Sequence, residues 1–329
     1  PPGSRLRRDP ALDEWVIVAP HRQDRTYRPP PERCPFCPTR PDGEPTEIPV
    51  PAFEIAVFEN RFPGLSPGAA SSGDGTPPDP PALFETAPGR GQGEVVVYTP
   101  HHEGSLGALP LEKVERLVRV WTHRYRELGV RPYVRNVFIF ENRGEAIGVT
   151  LEHPHGQIYG HPLVPPVPAR MLEVEARHHR RTGRCLRCDI VAGEMESGDR
   201  VIRSSGTVLT HVPFAPRWPY EAHIATRPHR ASLLDLRPAE RLELAAALKS
   251  LLESYDRLFG RPMPYVLAVM QAPTAATPGP GSHLRIEVYP ALRAPDRLKH
   301  RAGSETAMGL TVTDVLPETA AGRLRELAQ

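Results

Sequence analysis

The sequence has no apolar run long enough to cross a membrane. Its 329 residues contain no stretch of about 18 consecutive apolar residues, the shortest length typical of a membrane-spanning helix. The first residues, PPGSRLRRDPALDEW, also lack the apolar segment of a secretory signal. We therefore expect no transmembrane helix and no export, with the cytoplasm as the default location.

An excess of charge of one sign is also missing. The chain carries 41 basic and 39 acidic side chains, which leave a net charge of +2. This balance gives no general argument for binding nucleic acid or a membrane surface. Basic clusters at 5–8 and 177–187 contain no aromatic residues, so we expect solvated faces there, with neither nucleic acid nor membrane as a partner.

Cysteines are few, but they are paired. The four occur as Cys34-Pro-Phe-Cys37 and Cys185-Leu-Arg-Cys188. In a cytosolic protein two such pairs indicate metal binding before disulfides. A redox role would require a βαβ context, which neither pair has.

Prolines, in contrast, are abundant, with 41 in the chain. Many lie in the Gly/Pro-rich segment 63–93. This composition is typical of a mobile insertion, and the role of the segment stays open.

Two parts of the chain resemble each other. Residues 94–109, EVVVYTPHHEGSLGAL, and 221–236, EAHIATRPHRASLLDL, share Glu, Thr, His, Ser, Leu and Leu without a gap. Each stretch precedes an amphipathic helix, a strand-like run (133–142 or 264–273) and a further histidine. The apolar helix positions are Val114, Leu117, Val118, Trp121, Tyr125 and Leu128, then Leu242, Ala245, Leu248, Leu252, Tyr255 and Phe259. One match alone could be a coincidence, but the ordered series favours an internal duplication.

Each half therefore offers two thiols and two imidazoles. The predicted ligands are Cys34, Cys37, His102 and His153 for the first site and Cys185, Cys188, His229 and His283 for the second. Four N/S ligands with no spare position describe a closed structural Zn²⁺ site. Either histidine of a half, taken alone, could instead be an ordinary core or surface residue, and this alternative weighs more for the second half.

The two halves differ where chemistry is expected. The first reads His153-Pro-His155-Gly-Gln157, and the second has arginine and glutamate at the positions of His155 and Gln157. Alternate residues of a strand face the same side. If His153 binds metal, His155 is available as a nucleophile, whereas an arginine stays protonated and cannot be one. This contrast predicts a catalytic first half and a degenerate second half.

The amide of Gln157 favours transfer over hydrolysis. It can donate a hydrogen bond to an oxygen that gains charge, but it cannot shuttle protons as a general acid or base does. Exchange between phosphate esters needs no such shuttle. Upstream, Asn142, Gly148 and Thr150 lie in a small polar loop that can wrap phosphate oxygens.

At these residues the chain resembles a known family. HPHGQIY preceded by FENRGEAIG is similar to the active-site signature of galactose-1-phosphate uridylyltransferases, in the histidine-triad superfamily. CPFC, ENRFPGL, TPHH, VPFAPRWPYEAHI and RLKHRAGSE follow the family's order along nearly the whole chain. The resemblance implies a ping-pong reaction in which His155 takes UMP from UDP-glucose and passes it to a second sugar 1-phosphate.

The resemblance also implies substrate contacts and a homodimer. Asn60, Arg61 and Phe62 would lie near uridine, and Asn142, Gly148, Thr150 and Gln157 near the phosphates. Arg22, Arg25, Lys299 and Glu305 would lie near the hexose phosphate, some of them across a dimer interface. The arginines could also have a plain surface role.

Several positions depart from the family pattern. Many relatives carry histidine at the positions of Gln271 and Arg285, so their second metal site cannot exist here in that form. Thr150 replaces a serine, and Thr311 stands where some relatives have a glutamine. The nucleotide end of the site looks intact, while the sugar end has drifted.

We therefore expect an α+β fold of two duplicated histidine-triad-like halves, 1–168 and 169–329, sharing a mostly antiparallel, half-barrel sheet with packed helices. The expected partners are a nucleotide sugar and a sugar 1-phosphate. Alternatives are a uridylyltransferase for another sugar 1-phosphate, a nucleotide-sugar phosphorylase, or a nucleotide-binding protein without turnover. The identity of the base also stays open.

Overall fold

The fold is described by a computed structural model that covers residues 4–25, 28–41, 43–69, 81–274 and 281–328. Within these ranges, no helix has both the length and the apolar character needed to span a membrane.

Strands and helices occur in both halves of the chain. The strands are β1 Arg5–Asp9, β2 Glu14–Val18, β3 Ala56–Glu59, β4 Thr86–Pro88, β5 Gln92–Val97, β6 Asn136–Arg143, β7 His155–His161, β8 Val201–Ser204, β9 Val208–His211, β10 Ala222–Thr226, β11 Tyr265–Met270, β12 Arg285–Pro290, β13 Leu292–Ala294 and β14 Arg297–Leu298. The helices are α1 Leu111–Gly129, α2 Pro166–Thr182, α3 Leu186–Ser197, α4 Pro238–Leu258, α5 Gly303–Ala307 and α6 Pro317–Leu327.

One large sheet joins the two halves. Its nine strands run in the order β3-β5-β7-β6-β11-β12-β10-β9-β8, and every pair is antiparallel. The halves meet where β6 pairs with β11, with Ile139 opposite Val269. The predicted α+β class with a shared antiparallel sheet is therefore confirmed.

Two long helices cover one face of this sheet. In α1 the six predicted apolar positions are all buried, and they pack in one core with α4 and the inward side chains of β5, β6, β7, β11 and β12. In α4 the prediction is wrong for Leu242, which is 46% exposed. Because α4 is packed against α1, α6 and β9, its buried face is broad and includes Leu244, Leu251 and Leu258.

The repeated His-x-x-Ser-Leu segments form the same local structure. Ser105 and Ser232 each begin a single 3-10 turn, and their hydroxyls accept hydrogen bonds from Ala108 N and Leu234 N, both at 3.3 Å. The leucine that follows each serine is fully buried. The residues that match in sequence therefore form matching serine-capped turns and matching buried leucine positions, as an internal duplication requires.

Two smaller expectations need correction. Residues 70–80 of the predicted mobile insertion lie outside the described residues, but β4 pairs with β1 and β5 begins at Gln92, so the prediction does not hold for 86–93. In the basic cluster 177–187, the side chain of Arg187 is only 19% exposed and pairs with Glu175 at 2.9 Å. Arg187 therefore does not belong to a solvated face.

Candidate active site and metal-binding clusters

The candidate site lies on β7, between β5 and β6. Val97 pairs with His155, and Phe140 pairs with Gln157. Ile158 belongs to the helix-covered core, so the alternation of side chains turns His155 and Gln157 to the opposite face. The first half of the sheet therefore presents both residues on the face away from α1 and α4.

A single hydrogen bond defines the tautomer of His155. Its Nδ1 lies 2.8 Å from the backbone carbonyl of His153. A carbonyl can only accept, so Nδ1 carries the proton and Nε2 keeps a free lone pair. Burial lowers the pKa of His155, which favours the neutral ring that a nucleophile needs.

The ring of His155 is also held by an aromatic contact. Phe36 meets it edge-on, with ring centroids 5.0 Å apart. Phe36 lies between the two cysteines of the first CxxC pair and is 6% exposed. The segment that supplies two thiols therefore also forms a wall beside the candidate nucleophile.

Gln157 is oriented by its neighbours. Its Oε1 accepts from Asn60 Nδ2 at 3.4 Å and from the Tyr159 hydroxyl at 3.3 Å. With the carbonyl oxygen engaged, the amide Nε2 hydrogens remain available as donors on the same face as His155. This orientation fits a group that stabilises charge on a phosphate oxygen.

Most predicted substrate residues of the first half share one cleft. It is lined by Arg22, Arg25, Asn60, Arg61, Phe62, Thr150, His155 and Gln157, with Phe36, Glu47 and Phe58 among the other lining residues. Arg22 Nη1 donates to Phe62 O at 3.1 Å and to the Tyr159 hydroxyl at 3.4 Å. The cleft is therefore lined by both cationic donors and aromatic rings.

Four predicted residues are not among those that line the cleft. Asn142 is the penultimate residue of β6, on the same sheet face, and Gly148 lies in the following loop with a φ of 79°. Lys299 and Glu305 instead pair with each other at 2.7 Å, and both side chains are less than 10% exposed. In the described chain, most predicted substrate residues therefore line the cleft, Asn142 and Gly148 lie near the end of β6 and in the loop after it, and Lys299 and Glu305 form a separate pair.

The first cluster brings its four predicted metal ligands together. One donor atom from each of Cys34, Cys37, His102 and His153 lies within 4.8 Å of the others. His153 Nδ1 is 3.7 Å from both thiols, and His102 Nδ1 is 3.6 Å from Cys37 Sγ. A tetrahedral Zn²⁺ with bonds of about 2.0–2.3 Å gives donor separations of about 3.6 Å, so the four donors fit this ion.

The second cluster repeats the first. One donor atom each from Cys185, Cys188, His229 and His283 lies within the same 4.8 Å limit. His283 Nδ1 is 3.5 Å from Cys188 Sγ, and His229 Nδ1 is 3.6 Å from it. The alternative that His229 or His283 is a plain core or surface residue, outside any cluster of ligands, is therefore not supported.

Backbone carbonyls orient one histidine in each cluster. His153 Nε2 donates to Thr99 O at 2.8 Å, and His283 Nε2 donates to Thr226 O at 2.8 Å. Both rings therefore direct an unprotonated Nδ1 at the thiols, which is the usual outer-shell arrangement of metal-binding histidines. Burial also raises the pKa of the Cys34 thiol to about 11, so a thiolate there needs a neighbouring cation.

Sequence reasoning missed two contributors to the site. Tyr159 follows His155 and Gln157 on the same strand face and bonds both Gln157 and Arg22, so the two-residue period of a strand could have found it. Phe36 gave no local signal, because its contact with His155 depends on how the CxxC loop folds back.

The fold and the site together define a class of protein. The chain is a duplicated α+β protein with one His-x-His-x-Gln motif beside a cleft and with two Cys₂His₂ clusters. Two domain profiles match it, "Galactose-1-phosphate uridyl transferase, N-terminal domain" over residues 3–165 and the corresponding C-terminal domain over residues 172–329. The chain belongs to the galactose-1-phosphate uridylyltransferase family.

Curated relatives and solved structures agree with this assignment. A galactose-1-phosphate uridylyltransferase of Thermotoga maritima is 35% identical over 98% of each chain, and one of Streptomyces lividans is 37% identical over 99% of this chain and 87% of its own. A solved uridylyltransferase is 32% identical with a TM-score of 0.86 over 98% of each chain. An ADP-glucose phosphorylase from Arabidopsis thaliana, solved with bound ADP-glucose, is 25% identical with a TM-score of 0.74, covering 98% of this chain and 97% of its own.

Gly156 provides a test of the site's geometry. A Cβ there would lie 2.1 Å from the Tyr98 hydroxyl and 2.9 Å from Phe140 O, so Gly156→Ala must displace a buried side chain and strand backbone. We expect about 1–3 kcal/mol of destabilisation, as for overpacking in a core, measured by urea unfolding. The control is Gly322→Ala in α6, where a Cβ meets nothing within 4 Å and stability should rise by up to about 1 kcal/mol.

Removing the obstructing hydroxyl should recover part of the loss. The double variant with Tyr98→Phe should be more stable than Gly156→Ala alone. Equal stability of wild type and Gly156→Ala would show that the Gly156–Tyr98 contact does not constrain β7.

Proposed function

We propose that this protein transfers UMP from UDP-glucose to a second sugar 1-phosphate through a uridylyl group carried on His155. The observation that carries the proposal is the bond from His155 Nδ1 to His153 O, which leaves Nε2 as a nucleophile at the cleft. The family membership of the chain supports uridylyl as the transferred group and galactose 1-phosphate as the acceptor.

The residues divide the reaction into two displacements. His155 Nε2 attacks the α-phosphorus of UDP-glucose, a P–N bond forms, and the P–O bond to the β-phosphate breaks with release of glucose 1-phosphate. The phosphate oxygen of the second sugar 1-phosphate then attacks the same phosphorus, and the P–N bond breaks. Neutral imidazole is regenerated, because the proton stays on Nδ1, hydrogen-bonded to the His153 carbonyl, throughout.

Gln157 and the cleft supply the remaining interactions. Gln157 Nε2 donates to a nonbridging oxygen of the transferred phosphate, where charge grows in the transition state. We assign Asn60, Arg61 and Phe62 to the uridine and Thr150, Asn142 and Gly148 to the phosphates. We assign Arg22 and Arg25 to the hexose phosphate, because guanidinium groups are suited to binding phosphate.

A covalent intermediate can be trapped directly. Incubation with UDP-glucose labelled in the uridylyl group should give an acid-labile, base-stable phosphoramidate on His155. His155→Ala should abolish the label and lower turnover at least about 10³-fold, as loss of a nucleophile does. Gln157→Ala should lower the rate of labelling by about 10²–10³-fold, as loss of one oxyanion donor does.

The matched control is His123→Ala, which removes an exposed imidazole from α1 and should leave labelling unchanged. Absence of trapped label in the wild type would contradict covalent transfer and favour a nucleotide-binding protein without turnover.

A nucleotide-sugar phosphorylase is the second candidate. It is favoured by the structural similarity to the ADP-glucose phosphorylase, in which the same fold binds a nucleotide sugar. Chasing the labelled protein with galactose 1-phosphate, other sugar 1-phosphates and inorganic phosphate separates the two functions. Preferred release by phosphate would replace the transferase proposal.

We propose that both Cys₂His₂ clusters bind Zn²⁺ and that the ions are structural. Each cluster offers four protein ligands, which leaves no position for a reacting group. When bound, the ion neutralises two thiolates and fixes the loop that carries Phe36. The chain's own residues then hold His155 between Phe36 and the His153 carbonyl.

Elemental analysis tests the metal proposal. Freshly purified protein should contain two zinc ions per chain, one for each cluster, and Cys37→Ser or Cys188→Ser should lower the content by one ion. His101→Ala removes an exposed imidazole next to His102 and should leave the zinc content unchanged. A wild type without zinc would rule the structural sites out.

We also propose a homodimer in a reducing, cytoplasmic environment, with domains 1–168 and 169–329. Thiol ligands require reducing conditions, and the ranges of the two matching profiles flank the proposed boundary in the first turn of α2. The dimer is supported by Leu310 and Val312, which are 70% and 56% exposed and lie next to the Lys299–Glu305 pair. A partner subunit would cover these side chains and bring Lys299 and Glu305 to a cleft that they do not line within their own chain.

Mixing two inactive variants tests this arrangement. His155→Ala and Lys299→Ala homodimers should both be impaired, and a mixed dimer has one cleft with both residues intact if the site is shared between subunits. Refolding the variants together should restore up to about a quarter of wild-type activity, because about half of the dimers are mixed and each has one working cleft. A dimeric mixture without recovery would place Lys299 in its own chain's site, and a monomeric mass in sedimentation equilibrium would exclude the dimer.

A further inference from the structure

The second half keeps a cavity where the first half has its cleft. In β12, Arg285, Glu287 and Tyr289 take the positions of His155, Gln157 and Tyr159 in β7. His223 pairs with Glu287 as Val95 pairs with Gln157. His211 pairs with His223 as Phe58 pairs with Val95. The corresponding sheet face therefore carries charged and polar side chains in place of an apolar wall and a nucleophile.

This C-terminal cavity has the size of a small-molecule site. It holds about 560 Å³ and is lined by Met171, Ile190, Phe214, Arg217, His223 and Glu287, among others. Small-molecule pockets typically measure about 300–1,000 Å³. The proposed transfer reaction uses none of these residues, so it does not account for the cavity.

The cationic side chains of the cavity are already neutralised. Arg187 pairs with Glu175 at 2.9 Å, Arg200 with Glu194 at 2.9 Å, and Arg217 with Glu287 at 3.5 Å. These carboxylates are at most 4% exposed, and separating a buried pair is costly. A phosphate would need a guanidinium without a partner, and the described lining residues offer none. The charges therefore favour an uncharged occupant.

The remaining hydrogen-bonding capacity suits hydroxyl groups. A hydroxyl donates and accepts at once, so it matches a wall on which carboxylates and guanidinium groups alternate. His223 Nε2 lies 2.9 Å from Glu221 Oε1. This contact orients the imidazole ring of His223 in the cavity wall. His211 is 2% exposed, and its Nδ1 has no hydrogen-bond partner among the described residues. A buried group of this kind normally has a partner in the protein or an ordered water, and a ligand hydroxyl would serve equally well.

The cavity also offers an apolar platform. Phe214 is 75% exposed, and Arg200 lies over its ring, 5.1 Å from the centroid. Met171 and Ile190 extend the apolar surface. An aromatic ring beside alternating polar groups accommodates a ligand with a C–H face and a rim of hydroxyls.

We propose that the C-terminal cavity binds a neutral, hydroxyl-rich molecule of the monosaccharide class that carries no phosphate. This site is separate from the cleft at His155 and does not depend on the proposed transfer reaction.

A cavity-filling substitution provides the test. Gly193 lies on α3 and lines the cavity, and a Cβ there meets nothing within 4 Å. Gly193→Leu therefore places a large side chain at the cavity without strain and improves helix propensity. Ala192→Leu adds a similar side chain one position away, on an exposed residue that does not line the cavity.

The probes are D-glucose and D-galactose, titrated into the full chain by saturation-transfer NMR and calorimetry. We expect saturable binding to wild type and to Ala192→Leu, and a dissociation constant at least about tenfold higher for Gly193→Leu. Phe214→Ala, which removes an exposed ring and leaves the core intact, should also weaken binding. His155→Ala should bind the sugars as the wild type does.

Three outcomes would overturn the proposal. They are absence of saturable sugar binding, equal binding by wild type and Gly193→Leu, and binding of UMP or inorganic phosphate that Gly193→Leu removes. The last result would make the cavity an anion site. None of the three affects trapping of label on His155, so failure of this proposal is distinguishable from failure of the transfer reaction.

Discussion

The hydrogen bond from His155 Nδ1 to the His153 carbonyl is the interaction on which the site depends. His153 uses its backbone to fix the tautomer of His155, while its own ring turns toward the thiols of Cys34 and Cys37. The donation from His153 Nε2 to Thr99 O makes these two orientations compatible. One residue therefore links the first Cys₂His₂ cluster to the candidate nucleophile.

Duplication explains why the second half has the same frame with different chemistry. The ligand clusters, the serine-capped turns and the long helices recur because they stabilise each half. The strand positions that face the cleft do not contribute to the helix-covered core, so they could change without loss of the fold. In the second half Arg285, Glu287 and Tyr289 form a charge-balanced network on that face.

Much of the site could be predicted from the sequence because its signals are local or repeated. The two CxxC pairs and the two copies of the histidine spacing give eight donors, and the structure brings them together as two groups of four. The contrast between His155 and Arg285 predicted which half carries a nucleophile. The predictions failed or stayed untested where several elements meet, as for Leu242 on a helix packed on several sides and for Lys299, which pairs with Glu305 away from the cleft.

The sequence by itself determined the α+β class, the duplication and the residues of the two Cys₂His₂ clusters, because periodicity, repeated spacing and ligand chemistry are properties of short segments. Only the tertiary structure decided the protonated nitrogen of His155, the position of Phe36 against its ring and the amide orientation of Gln157. It also showed that a second cavity, lined by paired charges and apolar side chains, lies in the second half. These features arise from contacts between segments far apart in the chain, and local composition carries no record of such contacts.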